Sequence, residues 1–195
     1  MRALLVGAGL SLAACGSAGD VVFETELGDV HIDVHEEAAP VSAADFLSYV
    51  DQGAYDGQGF YRTVTPDTDP LGMGMSLVQG GRLSLDPLDG TVVHERTDAT
   101  GLSNVKGSVA LARNEPGTGS AAFVFFNLAD NTFLDAGEGG RNPDGEGYAV
   151  FGEVVEGMDV LREIQARGTA PDPNGVFADG QALAEPVYIL RAYRN

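Results

Sequence analysis

The feature that most limits the fold is a series of short segments in which apolar and polar residues alternate. In the clearest one, residues 30–35, every second residue is Val or Ile and the others are His or Asp. That period is typical of a strand with one buried face. Helical spacing occurs only in residues 41–52 and 158–165. Many strands with two isolated helices favour an antiparallel β-barrel over a parallel α/β fold.

The other predicted strands are bounded by Gly, Pro and Asp turns. A hairpin turn at 27–29 joins the first two strands, and loops cover 65–75, 113–120 and 136–147. The predicted strands are 21–27, 30–35, 60–64, 76–79, 107–112, 122–128, 148–155 and 187–193, with a further short strand at 92–93.

Charge restricts the classes of partner. The chain has 195 residues, with 11 basic against 29 acidic side chains and a net charge of -18. A nucleic-acid-binding protein needs a basic patch, and so does a protein that adheres to anionic lipid, so the charge argues against both classes. The simplest interpretation of the acidity is solubility. The length suits one domain with a substantial core.

The N-terminus resembles a bacterial lipoprotein signal. Arg2 precedes a short apolar run that ends in small residues before Cys15, the only cysteine. We therefore expect a signal peptide at 1–14, a lipidated tether at 15–20 and a domain at 21–195, with a lipid-anchored protein facing the periplasm at the bacterial cell envelope. The alternatives are an ordinary secretory signal, which would give a secreted or soluble periplasmic protein, and a chance apolar terminus.

Arg62 is the residue that most suggests chemistry. It lies in a segment that otherwise resembles a buried strand, so its donors need partners. One interpretation is a structural pair with a carboxylate, and the other is a donor to a substrate amide. Gln79 follows on a second apolar strand, directly before Gly80 and Gly81. It could donate to a substrate carbonyl or orient Arg62, or it could simply satisfy backbone groups.

Other polar groups have simpler explanations. His31, Asp33 and His35 share one face of a strand and could hold a metal, but a solvated face is the favoured interpretation. Residues 142–146 lack the spacing of a calcium loop, and Ser120 lacks the context of a hydrolase nucleophile. We expect neither metal nor cofactor.

Taken in order along the chain, the motifs resemble the cyclophilin family of peptidyl-prolyl cis-trans isomerases. The early motifs are Pro40, Asp45-Phe46-Leu47, Tyr55-Asp56-Gly57, Phe60-Tyr61-Arg62 and Gln79-Gly80-Gly81. The later ones are Gly107 to Ala112, Phe125-Phe126, Leu134-Asp135 and Tyr148 to Asp159. Each motif is weak alone, but together they span nearly all of residues 21–193.

The resemblance implies a closed eight-stranded antiparallel barrel capped by two helices. It also implies an isomerase of X-Pro bonds, without cofactor, that binds proline-containing polypeptides. We expect a monomer, and together with the N-terminal signal the resemblance predicts an enzyme that assists folding of exported proteins. Arg62 and Gln79 match the catalytic positions. The substrate-binding positions are Phe60, Leu77, Ala112, Phe123, Phe125, Phe133, Leu134 and Tyr148.

The chain also departs from the family pattern. Tyr61 replaces a His, the loop at 65–75 is long, and Ser76 stands where a pocket Phe is usual unless Met75 or Met73 supplies that surface. Phe123 replaces a Gln and Arg113 an Asn, both groups that contact the substrate backbone. These changes leave two alternatives, a non-catalytic proline-peptide-binding module or chaperone on the same barrel, and an unrelated barrel that binds small ligands.

Overall fold

The computed structural model describes residues 19–84, 90–115 and 117–195. The predicted signal peptide and Cys15 lie outside the described residues. Asp20, assigned above to the tether, is bonded to the domain: its carboxylate accepts from the Val34 amide at 2.8 Å. Its backbone N–H also donates to the carbonyl of Ile32 at 2.9 Å. The ordered domain thus includes Asp20.

The predicted barrel is confirmed. Eight antiparallel strands close in the order β1-β2-β7-β5-β6-β4-β3-β8. Their bounds are β1 Val21–Thr25, β2 Gly28–Val34, β3 Gly59–Val64, β4 Leu77–Gly81, β5 Ser108–Leu111, β6 Phe123–Asn127, β7 Val150–Glu156 and β8 Ala182–Arg194. The further strand predicted at 92–93 is wrong, because that segment is irregular and pairs with no strand.

Both predicted helices are present. Helix α1, Pro40–Asp51, starts with the proline at its first position, where a missing N–H costs nothing. Two short elements were not predicted, the single turn α2, Thr97–Thr100, and a 3-10 helix, Thr132–Leu134. Helix α3, Met158–Gln165, follows Gly157 and buries Leu161 and Ile164 against the barrel. Among the described residues, no helix has the length and apolarity needed to cross a membrane.

The strands bury apolar residues on both of their faces. The inner face and the helices form one core, which includes Phe23, Phe46, Phe60 and Phe126. A second, smaller cluster forms on the outer face of one side of the barrel, with Val64, Met75, Leu77, Ala110, Phe125, Leu134 and Val150. Strand alternation explains the division, since neighbouring residues on β4 and β6 belong to different clusters. The outer cluster is the floor of a groove.

A β-bulge in β3 decides which residues face that groove. The register with β4 and with β8 shifts between Phe60 and Arg62. Regular alternation would place these two residues on the same face, whereas the extra residue, Tyr61, puts them on opposite faces. Phe60 therefore points into the core and is fully buried, while Tyr61 and Arg62 both line the groove.

Candidate active site

The groove is built on a row of residues that crosses four strands. Arg62 on β3 is paired with Gln79 on β4, Gln79 with Phe125 on β6, and Phe125 with Ala110 on β5. Neighbours in such a row lie about 5 Å apart. The sheet therefore brings a guanidinium, an amide and an aromatic ring side by side.

The groove encloses about 580 Å³. Its apolar floor includes Met75, Leu77, Phe125 and Leu134, each at most 4 % exposed. Tyr148 meets Phe125 edge-on, with ring centroids 5.3 Å apart. Such a surface is suited to a small apolar ring.

Leu134 reaches the groove from a 3-10 helix that partly buried hydrogen bonds hold in place. The carboxylate of Asp135 accepts from the backbone N–H and the side-chain amide of Asn104, at 2.7 and 2.8 Å. Ser103 donates to the same carboxylate at 2.5 Å. The Leu-Asp pair of the sequence motif thus combines a groove residue with its anchor.

Arg62 is held by two amide oxygens. Its Nη1 donates to Oε1 of Gln79 at 2.8 Å, and its Nε and Nη2 donate to Oε1 of Gln181 at 3.0 and 2.7 Å. Gln79 also donates from Nε2 to the Tyr61 hydroxyl at 3.0 Å. Across the described ranges, no carboxylate lies within ion-pair distance of Arg62. The structure thus disfavours the carboxylate-paired interpretation of this residue, and Gln79 bonds to side chains rather than to backbone.

Aromatic rings cover one side of this network. The Arg62 Cζ lies 5.0 Å from the ring centroid of Phe177, and that ring stacks on Tyr61 at 5.9 Å. Burial lowers the pKa of Arg62 from its usual value. Burial also raises the pKa of Tyr61 to about 12, although the hydrogen bond from Gln79 opposes the shift. At neutral pH the site therefore holds a guanidinium cation and a neutral phenol.

Two other arginines line the groove, and both are paired with carboxylates. Arg113 makes a bidentate contact with Asp144, both bonds at 2.9 Å, and its Nε donates to the Gly147 carbonyl at 2.7 Å. Arg141 donates to Asp69 at 2.7 Å. Among the described groove residues, Arg62 is thus the arginine whose charge is not neutralised.

Most of the predicted site residues meet in this groove. Eight of them line it: Arg62, Gln79, Leu77, Ala112, Phe123, Phe125, Leu134 and Tyr148. Phe133 packs beside the floor cluster without lining the groove. Phe60 must be corrected, because the bulge at Tyr61 turns its ring into the barrel core.

The structure also places residues that sequence reasoning left open or missed. Met75 lines the groove where Ser76 does not, so Met75 supplies the missing apolar surface. Phe177 and Gln181 were not predicted, since they follow α3 in a loop without motif or period. The position of Gln181 directly before the strand β8 is the only feature of the sequence that could have indicated it.

The two glycines after Gln79 are required by close packing. A Cβ on Gly80 would lie 2.9 Å from a ring carbon of Phe60. Gly81 has a φ of +116°, and a Cβ there would collide with the carbonyl oxygen of Ala122. The glycines let β3, β4 and β6 approach closely, and this approach sets the position of Gln79.

The metal hypothesis gains no support. His31, Asp33 and His35 are partly exposed on the outer face, while Val30, Ile32 and Val34 are buried. Within ranges 19–84, 90–115 and 117–195, no three His, Cys, Asp or Glu side chains are grouped to hold a metal ion.

Comparison with known proteins agrees with this geometry. The family described as cyclophilin type peptidyl-prolyl cis-trans isomerase/CLD matches residues 20–193. A peptidyl-prolyl cis-trans isomerase of Acinetobacter baylyi is 34 % identical over 84 % of this chain and 81 % of its own length. Peptidyl-prolyl cis-trans isomerase B of Escherichia coli is 32 % identical, over 82 % of this chain and 90 % of its own.

A solved structure has the same fold. It is a cyclophilin-type isomerase of Cryptosporidium parvum, crystallised in the presence of the dipeptide Ala-Pro. The TM-score is 0.66 at 16 % identity, over 90 % of this chain and 98 % of the other. Together with the family match, these likenesses establish that the chain belongs to the cyclophilin-type peptidyl-prolyl cis-trans isomerases, which accelerate rotation about the bond before proline.

Proposed function

We propose that Arg62 is the catalytic group of this isomerase and that the outer groove holds the proline ring. In this proposal Leu77, Phe125 and Leu134 contact the ring, and Gln79 orients Arg62. Ala112, Phe123 and Tyr148 form the walls along which the flanking peptide lies. Binding of a proline peptide has support from the Cryptosporidium parvum protein of the same fold, which was crystallised in the presence of Ala-Pro.

The chemistry requires no transfer of a proton and no bond cleavage. Rotation about an X-Pro bond is slow because the proline nitrogen shares its lone pair with the carbonyl, which gives a barrier of ~18–20 kcal/mol. In the twisted transition state the nitrogen becomes pyramidal and recovers that lone pair. A donor aimed at the nitrogen therefore binds the twisted form better than either planar form, as catalysis demands.

The observation that carries the proposal is the unneutralised charge of Arg62 beside an apolar floor. A guanidinium has five N–H donors, and the two glutamines occupy three of them. The remaining donors, one on each terminal nitrogen, are left for a substrate. Amide oxygens orient the guanidinium without cancelling its charge.

The required lowering of the rotation barrier can be compared with the free energy that one hydrogen bond from Arg62 supplies. Lowering the barrier by ~6 kcal/mol would accelerate rotation by about four decades. A hydrogen bond to a charged group contributes about 1.5–3 kcal/mol. Arg62 would then provide up to about half, and ring binding and desolvation would provide the rest.

The test measures cis-trans exchange of an X-Pro peptide with wild-type protein and with Arg62→Ala. We expect the variant to lose at least 10-fold in rate, and roughly 100-fold if the full bond is lost. Arg162→Ala, which changes an exposed arginine on α3, is the matched control and should keep the wild-type rate. Equal rates for wild type and Arg62→Ala would refute the mechanism. Peptide binding without acceleration by the wild type would favour the non-catalytic binding module.

We also propose that the enzyme acts on exported polypeptides while it is tethered to a membrane by a lipid on Cys15. The proposal rests on the sequence of residues 1–15. One acyl chain binds a membrane weakly, and several chains bind it firmly. Expression in a bacterial host should place the wild type in the membrane fraction and Cys15→Ala in the soluble fraction. A soluble wild type whose Cys15 carries no lipid by mass spectrometry would refute the tether.

A further inference from the structure

The loop 172–181, between α3 and β8, supplies two contacts to Arg62. The first comes from Gln181, whose side chain is fully buried. Its Oε1 accepts both hydrogen bonds described above, and its Nε2 donates to the Thr68 carbonyl at 2.8 Å. A flipped amide would point its NH₂ group at the Arg62 donors and its oxygen at the Thr68 carbonyl. The orientation of Gln181 is therefore fixed from both ends.

The second contact comes from Phe177, because the Arg62 Cζ lies over its ring, 5.0 Å from the centroid. The loop that carries it is folded around the carboxylate of Asp172. This carboxylate accepts from the amides of Asn174, Val176 and Phe177 at 3.0, 2.7 and 2.9 Å. The bonds from Asn174 and Phe177 lower the pKa of Asp172, so the carboxylate stays charged at neutral pH. Phe177 is thus held in a defined place rather than on a free loop.

We propose that Gln181 is a positioning residue for Arg62, and that the ring of Phe177 limits the movement of the guanidinium that packs over it. Gln181 and Gln79 hold the group through three of its N–H donors, and Phe177 packs against its Cζ. The inference rests on the proposed catalytic role of Arg62 and extends the active site to the loop 172–181. It also accounts for a fully buried glutamine at the start of β8.

The two residues differ in how they meet the substrate. Phe177 lines the groove, whereas Gln181 does not. Replacing Gln181 should therefore lower the rate of exchange on the bound peptide and leave peptide affinity unchanged. A residue that only stabilises the fold would lower both properties or neither, so this difference identifies a positioning role.

The experiment is a double-mutant cycle with Gln181→Leu and Arg62→Ala. Exchange of a saturating X-Pro peptide is followed by NMR, and peptide affinity is measured by titration. We expect Gln181→Leu to slow exchange by about 10-fold, the order of one hydrogen bond to a charged group. We also expect unchanged affinity and no further loss in the Arg62→Ala background. Gln58→Leu is the control, since Gln58 bonds to the Leu83 amide and not to Arg62.

Each result of this cycle either supports or overturns the positioning role of Gln181. Wild-type exchange in Gln181→Leu, or the same fold loss in both backgrounds, would overturn it. If Gln181→Leu fails to fold, Phe177→Leu is carried through the same cycle. Its position in a surface loop makes unfolding an unexpected result, and it should slow exchange only when Arg62 is present. Full activity of Arg62→Ala would instead overturn the catalytic role itself, so the two failures are distinguishable.

Discussion

Asp69 offers a sharp test of how the long loop at 65–75 is held against the groove. Its carboxyl group is fully buried and accepts four hydrogen bonds. Oδ1 accepts from Arg141 at 2.7 Å and from the Leu71 amide at 3.2 Å. Oδ2 accepts from the amides of Met73 and Met75 at 2.8 and 3.2 Å. Met75 is part of the groove floor, so Asp69 links the loop to the site.

The informative substitution is Asp69→Asn, which keeps the shape of the side chain. All four partners of Asp69 are donors, and an asparagine has one oxygen and one NH₂ group. Either orientation of the amide therefore sets two donors against two donors. The free energy of unfolding should therefore fall by more than the removal of one charge would cause.

The size of the loss follows from this count. A buried donor left without an acceptor costs about 1–3 kcal/mol, and breaking a buried ion pair costs about 3–5 kcal/mol. The Arg141 side chain is 13 % exposed and can regain some water, which places the total near the lower limit, about 3 kcal/mol. For a domain of this size that corresponds to a fall in Tm of about 6–12 °C.

Urea unfolding and calorimetry measure this directly, with activity as a second reading. Asp67→Asn is the matched control, because Asp67 is an exposed neighbour on the same loop. The control should change the free energy of unfolding by less than about 0.5 kcal/mol. A loss below about 1 kcal/mol in Asp69→Asn would refute the reasoning from unpaired donors.

The same pair of proteins should converge at acid pH. Burial acts to raise the pKa of Asp69, but the bonds from Arg141, Met75 and Leu71 lower it overall. A carboxyl whose pKa is lower in the folded state stabilises the fold fully above its unfolded pKa, about 3.9, and this stabilisation is lost as the pH falls through the folded value. The stability gap between wild type and Asp69→Asn should therefore narrow below about pH 4.

Three further outcomes are expected. The ratio kcat/KM should stay flat from about pH 6 to about pH 9, because the pKa of Tyr61 is raised to about 12 by burial and Arg62 remains charged; a bell-shaped profile would contradict this. Gly81→Ala should destabilise the fold by about 2 kcal/mol or more in urea unfolding, because φ is +116° and a Cβ would meet the Ala122 carbonyl; a neutral effect would show that the strands can separate. Cyclosporin should bind more weakly than low micromolar by titration calorimetry, because Phe133 stands where many eukaryotic cyclophilins have a Trp and has no indole N–H to donate.

Alternation and turn residues predicted an antiparallel β-barrel, and the resemblance to the cyclophilins added that it is closed and has eight strands. All eight barrel strands were predicted, and their ends differ from the structure mostly by one or two residues, as hydrogen-bond pairing alone decides where a strand stops. The segment 92–93 was misread because two valines satisfy a local pattern, while a strand also needs a partner. Local periodicity could not supply that information.

The site was predicted less completely, for two physical reasons. The bulge at Tyr61 reverses the face of Phe60, and a register shift arises from pairing between strands rather than from the residues of one strand. The contacts of Arg62 with Gln181 join positions 119 residues apart, in a loop without a motif. Long-range polar contacts of this kind leave no period in the sequence.

The sequence predicts least well which groups the groove arginines bond to, and the proposed mechanism depends on these partners. In a chain with 29 acidic residues and 11 basic ones, an arginine is expected to meet a carboxylate, and Arg113 and Arg141 do so. A carboxylate beside Arg62 would bind it more tightly than an amide does, but would cancel the charge that the proposed mechanism directs at the twisting proline nitrogen. Gln79 and Gln181 give up that tighter binding and keep the charge. Under the proposed mechanism, replacing either with glutamate would convert Arg62 from a donor to substrate into one half of a structural ion pair.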